Sequence, residues 1–149
     1  MSWLSRHSPA IEAVAAMITA AVAVAALIGV KIQLDGADRI QREQSAREAY
    51  RAHLALAATL PQFAEPADGC QLMKSDQGGA YAAFVDHLLY SAEQMLTVSE
   101  GWDETFLEEL EPHRDYLCLP AGRPGETAET TKLLLSFRSM HCASNPVCQ

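Results

Sequence analysis

FVDHLLYSAEQML, residues 84–96, contains neither glycine nor proline, and its apolar residues recur at steps of three and four. Advancing about 100° per residue places Phe84, Val85, Leu88, Leu89, Ala92, Met95 and Leu96 inside an arc of about 140°. Asp86, His87, Tyr90, Ser91, Glu93 and Gln94 fill the rest of the circle. A strand would instead alternate apolar and polar residues. The segment therefore predicts a helix with one side in a core and one in water. On that reading Asp86, His87, Tyr90 and Glu93 are a hydrated surface rather than a catalytic set.

The same periodicity extends in both directions. Upstream, residues 38–60 place Ala46, Ala49, Tyr50, Leu54, Ala57 and Leu60 on one face, and Pro61 stops the helix. A break is expected before it at Asp35-Gly36. Residues 61–80 collect prolines, glycines and small polar residues and predict a loop, with helix returning at Tyr81. Downstream, Ser99 is a plausible N-cap for a helix whose first turn holds Glu100, Asp103 and Glu104, where the dipole favours negative charge. Its stripe of Trp102, Phe106, Leu110, His113 and Leu117 runs through Pro112, which either kinks the helix or opens a second one. After a loop at 119–126, a last helix from about Thr127 to His141 presents Leu133, Leu134, Phe137 and Met140. The fold class is all-α.

Residues 13–30, AVAAMITAAVAVAALIGV, differ in kind. They are 18 residues without a charge or proline, about 27 Å as a helix against a hydrocarbon core of about 30 Å. A cleaved signal peptide would have a shorter apolar region and a small-x-small site after it, whereas Lys31-Ile32-Gln33-Leu34-Asp35 follows here. A buried soluble helix is the other alternative, because eight of the 18 residues are alanine. The reading adopted is an uncleaved single transmembrane helix. The expected organisation is a tail at 1–12, an anchor at 13–34, and a soluble domain of about four helices at 38–149. Ala16/Ala20, Ala21/Ala25 and Ala25/Gly29 repeat the spacing that lets membrane helices approach closely, which in so alanine-rich a segment also arises by chance.

Charge divides along the chain. Residues 31–60 hold five Lys/Arg and four acids, whereas 61–149 hold five and fourteen. The distal part would repel nucleic acid, and the basic residues near the anchor can rest on anionic head groups. Lys31, Arg39, Arg42 and Arg47 follow the anchor while Arg6 and the α-amine precede it, so the positive-inside rule places the soluble domain in the cytoplasm. Cys70, Cys118, Cys142 and Cys148, an even set outside the anchor, argue for an oxidising compartment. There, Cys142 and Cys148 would close the shortest loop. The charge rule is given precedence because it acts during insertion.

Candidate chemistry is sparse. Neither a G-x-S-x-G elbow, nor a glycine-rich phosphate loop, nor H-E-x-x-H occurs, so no catalytic residue and no cofactor are assigned. His53 falls among Ala49, Tyr50, Leu54 and Ala57, and His113 lies on the aromatic stripe. Both therefore point inward, where their ring nitrogens need partners. A satisfied core histidine is the plain interpretation. The sharper one joins His53, His113 and Cys118 as metal or haem ligands, at a spacing that matches no zinc signature.

EQSAREAYRAHLALA, AFVDHLLYSAEQML and GWDETFLEELEPHRDYLC together resemble a group of small bacterial single-pass membrane proteins, over about residues 10 to 142. Glu43, Arg47, Tyr50, Trp102, His113 and Tyr116 carry the likeness. The resemblance implies the same architecture and transfers no activity. The expected function is an interaction or accessory module, such as a small subunit of a bacterial inner-membrane complex, with lipid and a membrane protein or a second copy as partners. The alternative is a small-ligand or metal-binding sensor that uses the interior histidines.

Overall fold

The computed structural model describes residues 2–119, 127–142 and 148, with side chains from residue 12 onward. The described residues form helices and no strands, as the periodicity predicts. The chain divides into two compact units, residues 1–41 and 42–149.

The first helix, α1, runs from Ser2 to Thr59 without the expected break at Asp35-Gly36. A helical glycine costs only about 1 kcal/mol relative to alanine. Gly36 is followed by good helix formers and, until Pro61, by no proline, so this cost does not stop the helix. Pro61 does: it excludes the α region for Leu60, which lies at φ −127°, ψ 60°. Within the first unit the apolar run is uncovered. Val14, Met17, Ile18, Val22, Val24, Leu27, Ile28 and Val30 are all more than half exposed. The helix holds an 18-residue window of mean hydropathy 2.5, none of it buried, long and apolar enough to cross a membrane.

In the second unit the segment 61–80 is more ordered than expected. It contains two short helices, α2 (Pro61–Ala64) and α3 (Gly69–Lys74). Asp68 caps α3 by accepting a hydrogen bond from the Gln71 amide at 2.8 Å. The chain then enters α4 (Gly78–Val98) three residues earlier than expected, through a turn so tight that a Cβ on Gly78 would lie 2.3 Å from the Met73 carbonyl oxygen.

Helix α4 contacts α3, α5 and α7. Its buried residues are Tyr81, Phe84, Val85, Leu88, Leu89, Ser91, Ala92 and Met95. The predicted apolar face is thus confirmed except for Leu96, which is half-buried, and the buried arc is wider than predicted. Ser91 belongs to it because its hydroxyl donates to the Ala49 carbonyl of α1 at 3.2 Å and to its own helix at His87.

Ser99 caps the end of α4, its amide bonded to the Met95 carbonyl, and does not begin the next helix. Gly101 at φ 84° interrupts the path, a conformation that glycine adopts at little cost. Helix α5 (Asp103–Leu110) follows, then a 3-10 turn (Glu111–His113) and α6 (Arg114–Leu117). Pro112 sits in the first turn of the 3-10 segment, where its missing N–H is tolerated. The expected loop at 119–126 lies, apart from Leu119, outside the described residues. Helix α7 (Ala128–His141) begins after Thr127, whose hydroxyl accepts from the Thr130 amide at 3.4 Å. Its Leu133, Leu134 and Phe137 are buried, but Met140 is exposed, contrary to the periodicity.

The cysteines are paired otherwise than expected. Cys70 joins Cys148 and Cys118 joins Cys142, each with a Cα–Cα distance of 5.4 Å. The Cys142–Cys148 pairing is thereby overturned. A short loop considers two residues in isolation, whereas the fold brings α3 to Cys148 and α6 to α7. The Arg138 guanidinium donates to the Leu117 carbonyl at 3.1 Å, beside the second bridge.

Candidate functional site

Both interior histidines are where the pattern places them. His53 of α1 and His113 at the end of the 3-10 turn are 4% and 2% exposed. Phe84 of α4 touches both, with ring centroids 4.8 Å from His53 and 5.8 Å from His113. The two imidazoles line a single cavity of about 390 Å³, together with Leu54, Ala57, Ala64, Phe84, Leu88, Pro112 and three carboxylates, Glu65, Glu108 and Glu109.

Each imidazole has a partner at Nδ1. The His113 Nδ1 lies 3.1 Å from the Tyr81 hydroxyl, and the His53 Nδ1 lies 3.4 Å from the Nδ1 of His87. His87 is half-buried, its ring stacked on His53 at 5.6 Å, so it does not belong to the hydrated side where the helical wheel put it. The wheel carried no information about α1, which covers that flank of α4. Asp86 and Tyr90 remain exposed as expected. Glu93, expected on the same side, is half-buried.

Burial pushes both buried imidazoles down from 6.5 to about 4, with the neighbouring imidazole adding to it. They are neutral at pH 7. Tyr81, fully buried, has its phenol pushed well above the ordinary range by burial and then by Asp115. On the side of Glu109, the Tyr50 hydroxyl donates to the carboxylate, and the Tyr50 ring packs edge-on to Trp102 at 5.3 Å and Phe106 at 5.5 Å. Burial and that carboxylate together push the Tyr50 phenol up.

The metal set of His53, His113 and Cys118 is not supported. Cys118 is in a disulfide and carries no thiolate. Asp68, Cys70 and Asp115 bring ligand atoms within 4.8 Å of one another, but Cys70 is also bridged. What the arrangement can do is bind: it offers neutral imidazole nitrogens, a carbon-lined volume and three carboxylates. Neither Glu65 nor Glu108 was singled out by sequence. Each lies on a short or irregular segment, and only the fold brings them beside His53. The chain matches no family profile, no curated protein and no solved structure, so the chemistry of the site stands on these residues alone.

Proposed function

We propose that this is a single-pass bacterial inner-membrane protein, anchored through residues 13–34, whose helical bundle serves as an interaction or accessory module of a larger membrane assembly. The observation that carries the reading is the apolar window of α1, with none of its surface buried. The core helix of a soluble protein would be mostly covered; a helix apolar on every side needs lipid or another protein around it.

The side of the membrane is proposed from the cysteines. Pairing all four of them favours an oxidising compartment and outweighs the flanking charges, which predict the cytoplasm. We therefore propose the periplasmic face for the helical domain. Its net negative charge argues against nucleic acid as the partner.

The reading is tested by mild detergent extraction from native membranes, purifying the full chain through a C-terminal tag. Stoichiometric recovery of a membrane-protein partner, or of a defined homo-oligomer, is the expected result. Release of the intact chain by alkaline carbonate, or recovery as a bare monomer, would overturn it.

A further inference from the structure

The geometry points to a binding site for a small organic ammonium compound with an apolar body, held in the cavity between His53 and His113 with its charge toward Glu65, Glu108 and Glu109. Three observations converge on it. Each buried imidazole spends its Nδ1 on a neighbour, and neither Nε2 has a hydrogen-bond partner among the described residues. A buried polar nitrogen without a partner is costly, and such a group at the wall of a cavity is what a ligand would satisfy. The three carboxylates have no cationic partner among the described residues.

The character of the walls selects the ligand. Leu54, Ala57, Ala64, Phe84, Leu88 and Pro112 give a carbon surface for an apolar body. An anion would meet three carboxylates. A metal ion is disfavoured because the histidines and glutamates are not among the donors that converge within 4.8 Å in the described residues. The Tyr81 phenol has His113 as its one hydrogen-bond partner among those residues, so it donates to Nδ1 and leaves Nε2–H as a donor. The ligand accordingly carries an oxygen acceptor as well as an amine, as an amino alcohol does.

The test is calorimetric titration of the full chain in detergent micelles with phenylethanolamine, phenethylamine, mandelate and Zn²⁺. Phenylethanolamine is expected to bind with a Kd of roughly 0.1–1 mM, phenethylamine a few-fold more weakly, and mandelate, which replaces the aminomethyl group by a carboxylate, at least about ten-fold more weakly. Glu65 and Glu108 are exposed, so Glu65→Gln and Glu108→Gln leave the core intact, and together they should weaken phenylethanolamine about ten-fold. Ala57→Leu, which fills the cavity, should abolish binding. Mandelate binding as tightly as the amine, no heat from either amine, or stoichiometric Zn²⁺ binding lost in His113→Gln would each overturn the assignment. Membrane extraction is unaffected by these outcomes, so failure here is distinct from failure of the anchored-module reading.

Discussion

Two neighbours on α4 separate what packs from what does not. Leu88 is 1% exposed and Asp86 is on the open side. Leu88→Ala should cost about 2–5 kcal/mol through lost burial and a cavity, and Asp86→Ala should stay within about 0.5 kcal/mol. Urea unfolding of a fragment beginning near Asp38 measures both; equal losses would return Asp86 to the structural core. Gly78 is constrained differently. Any side chain there meets the Met73 carbonyl, so Gly78→Ala should shift the entry to α4 and lose stability, despite the better helix propensity of alanine. The histidines make stability depend on pH. Their folded pKa values lie near 4, below the ordinary 6.5, so the unfolded chain binds more protons between those values. Stability is therefore fully present above about pH 6.5 and falls as pH drops toward 4. The urea midpoint should follow that course, and His113→Gln should flatten part of the fall.

At the scale of elements, periodicity located α4 and α7 and the part of α1 after Asp38, because a helix that buries one face writes that face into its sequence every three or four residues, whereas the apolar run of α1 buries no face and its continuity through Gly36 was missed. His113 was legible as an interior residue for the same reason: Phe106, Leu110 and Leu117 share its stripe, and all are buried. Where an element has two neighbours the signal fails. Ser91 and His87 look polar on the wheel of α4, yet one bonds α1 and the other stacks on His53. The ends of elements were less legible still. Ser99 reads as an N-cap, but its amide bond to the Met95 carbonyl closes the preceding helix, and the positive φ at Gly101 separates it from the next one. The cavity lay beyond sequence reasoning, since Glu65, His53 and Glu108 approach through packing and not through spacing. For α1, the anchor reading predicts a sharp division of behaviour. The full chain should stay in the membrane pellet through carbonate and high salt, while a fragment beginning near Asp38 should be soluble, its apolar window having been removed. Immunoblots of the fractions decide it.

For the whole molecule, the bridges tie α3 to Cys148 and the end of α6 to the end of α7. Cys70–Cys148 closes 78 residues of sequence separation and Cys118–Cys142 closes 24. In the chain-entropy treatment, loops of these sizes restrict the unfolded state by about 4.5 and about 3.5 kcal/mol. The longer link should therefore matter more: Cys70→Ala with Cys148→Ala should lower the unfolding midpoint further than Cys118→Ala with Cys142→Ala. Such a ranking also bears on location, because a domain that depends on two bridges needs a compartment where they form. The decisive measurement is thiol trapping. Cells are denatured directly in alkylating reagent, with and without reductant, and the protein is digested and its linked peptides identified by mass. On the periplasmic reading no thiol reacts before reduction, and the linked peptides join Cys70 to Cys148 and Cys118 to Cys142. Four free thiols would return the domain to the cytoplasmic side that Lys31, Arg39, Arg42 and Arg47 favour, and would leave the fold to its hydrophobic core alone. A peptide joining Cys142 to Cys148 would overturn the arrangement of the chain end while keeping the compartment.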